Sequence, residues 1–226
     1  MKVFIQSIVA QILLNPYIFW RGYQAIPPQK SWRIPYVLFF ILELSLFFFG
    51  FTFRNVLPDS VMIAIQYICN TWYIASIYIT LSLLVLEVLR LSNRFFHWFP
   101  GWMTGHWKQT KLTLFFLIIA IVTGLMFHAY HVVAYPIVKD VYVTLPKGSS
   151  ERDSMTIVMM SDLHIGEMIG KELVQRYVKM SNEQHPDMVV LVGDIMDYES
   201  RFAEKAHIEE DLKQLKAPLG VYVVYG

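Results

Sequence analysis

Three side chains stand out for what they could hold together. Asp162 and His164 are two residues apart and follow the apolar run Met155–Met160. Asp194 follows Gly193 at the end of a second apolar run, Met188–Val192. Residues two apart in an extended segment point the same way, so one carboxylate and one imidazole can grip a single cation. A second carboxylate from a neighbouring strand end can reach that cation and share its other oxygen with another. Gly193 permits the tight backbone that turns Asp194 inward. Mixed Asp and His donors suit Mn, Fe or Zn better than Ca, which prefers oxygen alone. Taken singly each feature is weak, because Asp after a strand commonly caps a helix or forms a turn. It is the repetition, at the ends of two consecutive apolar strands, that points to a metal site at Asp162, His164 and Asp194.

The elements that position these residues follow from periodicity. Val141–Leu145 reads as a short strand and Lys147–Asp153 as an exposed turn. Met155–Met160 is a buried-strand run. Lys171–Glu183 carries Leu173, Val174, Tyr177 and Val178 at helical spacing, and His185-Pro186-Asp187 stops it. Met188–Val192 is the second strand, Ala203–Leu215 a second helix and Val221–Tyr225 a third strand. Alternating strands and helices with continuous apolar strands imply a parallel α/β sheet with right-handed crossovers. Ligands of such sheets bind beyond the carboxyl ends of the strands, where these three residues fall.

The preceding residues obey a different solvent. The chain has 226 residues, 55% hydrophobic and 16% charged, yet residues 1–138 hold 9 basic and 3 acidic side chains against 10 and 15 in residues 139–226. Four apolar stretches, roughly 3–20, 35–53, 61–89 and 112–135, approach the 20 or so residues that cross a bilayer. The first is interrupted by Gln6, Gln11, Asn15 and Pro16, and is read as a retained helix because no A-x-A-like cleavage site follows it. The fold class is therefore a multi-pass α-helical membrane region followed by α/β, divided at about residues 138 and 139. Arg21, Lys30, Arg33, Arg90, Arg94, Lys108 and Lys111 outnumber Lys2, Arg54, Lys139 and Lys147 across the bilayer. The excess of cations places the first and third loops in the cytoplasm and the soluble part outside it. Basic residues lying between apolar runs argue against nucleic acid as a partner. Cys69 is the only cysteine, which excludes an internal disulfide and a Cys-built zinc site.

Other polar residues invite weighing. Glu43 within the second stretch marks a candidate relay or a buried pair. Glu87 is expected to pair with Arg90 near the helix end. His128 and His131 share a helix face but lack a third ligand. The aromatic segment 95–107 fits a headgroup-level loop. No internal repeat and no matching pair of broken helices points to a transporter.

At the strand ends the sequence resembles the calcineurin-like metallophosphoesterase family. IVMMSDLHIG resembles its D-x-H motif, PDMVVLVGDIMD its G-D-x-x-D motif, and LGVYVVYG the strand entering its G-N-H motif, with Gly226 as the first residue. The resemblance covers about residues 140–226, and helices ahead of the catalytic domain are similar to the bacterial membrane-anchored branch. It implies the N-terminal half of a two-sheet α/β sandwich and two divalent ions. Asp162 and His164 would then ligate the first ion, and Asp194 would bridge both. It further implies hydrolysis of phosphomonoester, phosphodiester or pyrophosphate bonds of a phosphorylated substrate through a two-metal-activated hydroxide; the membrane anchor, not the resemblance, suggests a lipid or envelope component. Asp197 matches the second motif as a hydrogen-bonding neighbour rather than a ligand, Glu167 follows the D-x-H-I-G turn within reach of the pocket but is read as outside the site, and His185 matches no family ligand. The Asn and His expected after Gly226 and the later histidines are absent, as is the second sheet. The chain is accordingly expected to be part of a longer enzyme and inactive alone. Rival readings are a transporter or sensor with a non-catalytic appendage, and a truncated membrane interaction module.

Overall fold

The computed structural model describes residues 2–53, 56–146, 148, 152–166, 169–196 and 201–224. The chain divides into two units, Met1–His131 and Val132–Gly226.

The first unit is helical. It holds α1 (Lys2–Ala25), α2 (Lys30–Thr52), α3 (Asp59–Phe96), the short α4 (Gly101–Gly105) and α5 (Trp107–Ala134), whose last turn enters the second unit. By length and composition, α2, α3 and α5 are able to cross a membrane. α1 occupies the first of the four apolar stretches. The outward surfaces are apolar and open, with Leu42 60%, Val88 65% and Phe127 70% exposed, as lipid-facing surfaces are. α3 runs beyond its apolar stretch and ends where His97 turns left-handed (φ 50°), its backbone N–H donating to Asn93 O at 2.9 Å.

Polar groups occupy the interior of this unit. Glu43 is 3% exposed and accepts from Gln11 Nε2 at 2.8 Å and Asn15 Nδ2 at 2.9 Å. Trp72 Nε1 donates to Asn15 Oδ1 at 2.9 Å, so the knot joins α1, α2 and α3. The residues that weaken the first stretch as a sequence are thus the partners of the carboxylate in the second. Gly50 lets α3 approach α2: a Cβ there would lie 2.7 Å from Ile65 Cγ2. Glu87 does not take Arg90 as its ion-pair partner. It pairs with Arg21 of α1, because packing of α1 on α3 brings that guanidinium closer than the same-helix neighbour.

The second unit contains β1 (Ile157–Ser161), α6 (Lys171–Glu183), β2 (Met188–Val192), α7 (Arg201–Lys205), α8 (Ile208–Leu212) and β3 (Val221–Val224). The sheet order is β1-β2-β3, all parallel, with Ile157 opposite Met188 and Val189 opposite Val221. Val158, Met160, Val189 and Leu191 pack with Val174, Val178, Ile208 and Leu215 on the helix-covered face. On the other face Ile157 is 48%, Met159 69% and Tyr222 50% exposed. Parallel sheets are normally covered on both faces, so this side has the composition of a core and the exposure of a surface.

Two expected elements differ. Val141–Leu145 is irregular and exposed, with Tyr142 at 93%, because β-propensity without a neighbouring strand leaves its backbone unpaired. The helix expected over Ala203–Leu215 is broken into α7 and α8, since His207 adopts φ 52° and cannot continue a right-handed turn. Most of the turn expected at Lys147–Asp153 lies outside the described residues.

Candidate metal centre

β1 runs directly into Asp162-Leu163-His164-Ile165, and β2 into Gly193-Asp194. Backbone pairing continues beyond both strands. Asp162 N–H donates to Val192 O at 3.2 Å, His164 N–H to Asp194 O at 3.0 Å, and Ile165 N–H to Ile195 O at 2.8 Å. Gly193 N–H in turn donates to Val224 O at 3.0 Å, which holds the second loop to β3. Leu163 (8%) and Ile165 (0%) are buried in the core, while Asp162 and His164 are exposed. The hydrophobic alternates act as anchors that turn the two polar side chains outward.

The local backbone is unusual at the residues that bear the chemistry. Asp162 (φ 50°), His164 (φ 45°) and Gly193 (φ 86°) all lie in the left-handed region. For Asp162 and His164 that conformation costs about 1 kcal/mol each, and it persists because the paired loops and buried neighbours hold it. Gly193 carries no such cost, and its missing side chain has a second use. A Cβ there would sit 3.2 Å from Asp162 Oδ1, so the carboxylate of the first loop lies over the glycine that introduces Asp194.

Asp162, His164 and Asp194 are therefore brought to one sheet edge by the main chain. Two carboxylates and an imidazole, accessible and borne on paired loops, with a glycine leaving room beside Asp162, form a donor set that fits a divalent first-row ion. They are not drawn into a tight cluster. Among the described residues, three such ligand atoms come within 4.8 Å of one another at His207, Glu209 and Glu210. That group was not foreseen in the sequence. It is exposed at the start of α8, where acidic side chains favour the helix N-terminus, and His207 Nδ1 lies 3.5 Å from Glu209 Oε1.

The remaining candidates separate plainly. Asp197, Glu167 and Gly226 lie outside the described residues. His185 is exposed just after α6, its N–H donating to Asn182 O at 3.1 Å, a helix-end position as expected. His128 and His131 are exposed on α5, and no third ligand joins them among the described residues. Glu43 is held by Gln11 and Asn15, as described above. At the opposite sheet edge Asp187 does structural work: its carboxylate accepts from Thr156 N–H at 2.8 Å and Arg152 Nη1 at 2.9 Å, fixing the entry to β1.

Comparison with known proteins gives relatives for both halves. The chain is 29% identical over 99% of its length to the "Transmembrane protein with metallophosphoesterase domain" of Danio rerio, covering 52% of that protein. It is 26% identical over 87% of its length to the protein of the same name from Bos taurus, covering 44% of it. An uncharacterized metallophosphoesterase of Bacillus subtilis is 31% identical over 33% of the chain and 26% of its own length. The matches that run through the helical part as well as the α/β part thus include animal proteins, whereas this bacterial match is short. The chain spans about half the length of the animal relatives. No family model matches it, and no solved structure does.

Proposed function

We infer from this chain's place in the metallophosphoesterase family, whose transmembrane members it matches along almost its whole length, that it is the membrane-attached, metal-binding part of a phosphoesterase. Asp162 and His164 would hold one divalent ion, with Asp194 available to that ion and to a second. Mn, Fe and Zn are the ions that suit these donors. Such ions lower the pKa of water and offset charge on phosphoryl oxygens. The chain's own contribution is placement. Leu163 and Ile165 lock the first loop into the core, Gly193 leaves space for the Asp162 carboxylate, and the bond from His164 N–H to Asp194 O keeps the two loops in step.

That last bond carries the reading, because it makes neighbours of two motifs thirty residues apart in sequence. The substrate is a phosphate monoester, diester or pyrophosphate, with a lipid or envelope component favoured by the attachment to a bilayer. The α/β unit lies outside the cytoplasm, a reading supported by seven basic residues at the helix ends that flank the first and third connections, against four on the other side. Turnover is assigned to a protein of the relatives' length, whose further residues supply the remaining donors and the cover for the open sheet face. Against a transporter or sensor stands the bonding of Glu43, both of whose carboxylate oxygens are engaged by amides.

The test is hydrolysis of bis-p-nitrophenyl phosphate with Mn²⁺ by a protein of that length. Release of p-nitrophenolate is expected, falling more than about a hundredfold in Asp194→Asn, beyond the usual effect of losing a group that merely supports a ligand. Absence of hydrolysis, or indifference to Asp194→Asn, overturns the reading.

A further inference from the structure

The helical unit contains a cavity that a phosphoesterase reading leaves unused. α1, α2 and α3 pack on one another, but α5 stands further off. It meets them through aromatic contacts near its start, Phe115 with Tyr36 at 6.2 Å and Phe116 with Trp32 at 6.0 Å between ring centroids. The space left between is about 770 Å³. That is within the range of about 300–1,000 Å³ found for small-molecule sites. On α3 its lining runs from Thr71 to Arg90, which is about 28 Å of helix and close to the thickness of a bilayer's hydrocarbon.

The two ends differ in chemistry. Phe39, Phe40, Ile79, Ile118, Val122 and Met126 line the long apolar part. At the other end Arg21 from α1, Arg90 from α3 and Lys111 from α5 meet, beside Trp98 and Trp107. Arg21 is paired with Glu87, and the Arg90 guanidinium lies 5.8 Å from the centre of the Trp107 ring. Three cations against one carboxylate leave the rim positive. Tryptophans settle at headgroup depth, so the charged rim belongs at the interface and the apolar slot below it. An apolar slot of this size in a bilayer fills with acyl chain, and cations at its mouth select lipids whose headgroup is negative.

We propose that this cavity binds one anionic phospholipid, with an acyl chain between α3 and α5 and its phosphate against Arg90 and Lys111. The lipid takes the place of the helix-to-helix contacts that α5 lacks, and seats α5 against the rest of the bundle.

The experiment reconstitutes the chain in phosphatidylcholine vesicles with a minor fraction of phosphatidylglycerol. In parallel samples one of the two lipids carries a photoreactive acyl chain, and labelled residues are mapped by mass spectrometry. The phosphatidylglycerol probe is expected to label Ile79, Ile118 and Val122 in preference to the lipid-facing Ile121 and Leu125, and several-fold more than the phosphatidylcholine probe. Arg90→Gln combined with Lys111→Gln should erase most of that several-fold preference, bringing the two probes close to equal labelling. Lys108→Gln removes one cation at the same end, as Lys111→Gln alone does, but Lys108 does not line the cavity, and the preference should stay unchanged. Ala75→Trp fills part of the slot without touching its charges, and should suppress labelling at the three cavity positions by both probes. Equal labelling by the two headgroups overturns the proposal. So does label spread evenly onto Ile121 and Leu125, a preference unmoved by the double substitution, or cross-links from a second copy of the chain at the cavity positions.

Discussion

The two units place their polar residues in opposite ways. In the helical unit Glu43, Gln11 and Asn15 are buried while Leu42 and Phe127 face outward. In the α/β unit Val174, Val189 and Ile165 are buried, and Asp162, His164 and Asp194 are exposed at the edge of the sheet. The surrounding medium explains the inversion. Lipid gives apolar side chains no reason to hide and leaves polar groups to find one another, whereas water does the reverse. A polar residue rare for its surroundings is therefore a different signal in each unit. Glu43 is satisfied by its neighbours and ties helices together; Asp194 remains available to something else.

The contrast breaks most sharply at catalysis. In a protein of the relatives' length, Asp162→Asn should depress phosphodiester hydrolysis more than about a hundredfold with helical content unchanged by circular dichroism. Glu43→Gln should leave that turnover intact. The opposite pair of results would move the function into the membrane part. Next comes the core. Ile165→Ala, at a fully buried position, should destabilise the α/β unit by about 2–5 kcal/mol in denaturant titrations, while Leu42→Ala on the lipid-facing side should leave thermal stability in detergent nearly unchanged. Equal sensitivity at the two positions would erase the distinction between the units. The smallest effect is expected at Gly193→Ala. Its φ of 86° and the 3.2 Å approach to Asp162 Oδ1 predict a loss of about 1–2 kcal/mol together with weaker Mn²⁺ binding by calorimetry. Unchanged metal binding in that variant would detach the glycine from the site.

Much of this arrangement was legible in the sequence, and the failures share a cause. Lys171–Glu183 and Met188–Val192 have the expected bounds, because a strong apolar period and a Pro-Asp stop are local signals. The parallel sheet sufficed to place Asp162, His164 and Asp194 at one edge, but Asp162 and His164 reach it through left-handed turns rather than the extended alternation expected of them. What the sequence did not disclose depends on partners far along the chain. Gln11 and Asn15 look like flaws in a membrane helix until Glu43 is seen between them. Arg21 cannot be chosen over Arg90 for Glu87 without knowing that α1 lies on α3. Val141–Leu145 has the composition of a strand but, among the described residues, no ladder to join. The break at His207 turns on one dihedral angle that no periodicity encodes.

The main-chain bonds joining the two loops past their strands have a further consequence. The spacing of the three polar positions is set by amides, which no replacement short of proline removes. The frame and its cargo are thereby uncoupled. Exchanges of side chain around Asp162 and Asp194 leave the chassis beneath the same, so the chemistry offered at this edge can change while the architecture does not.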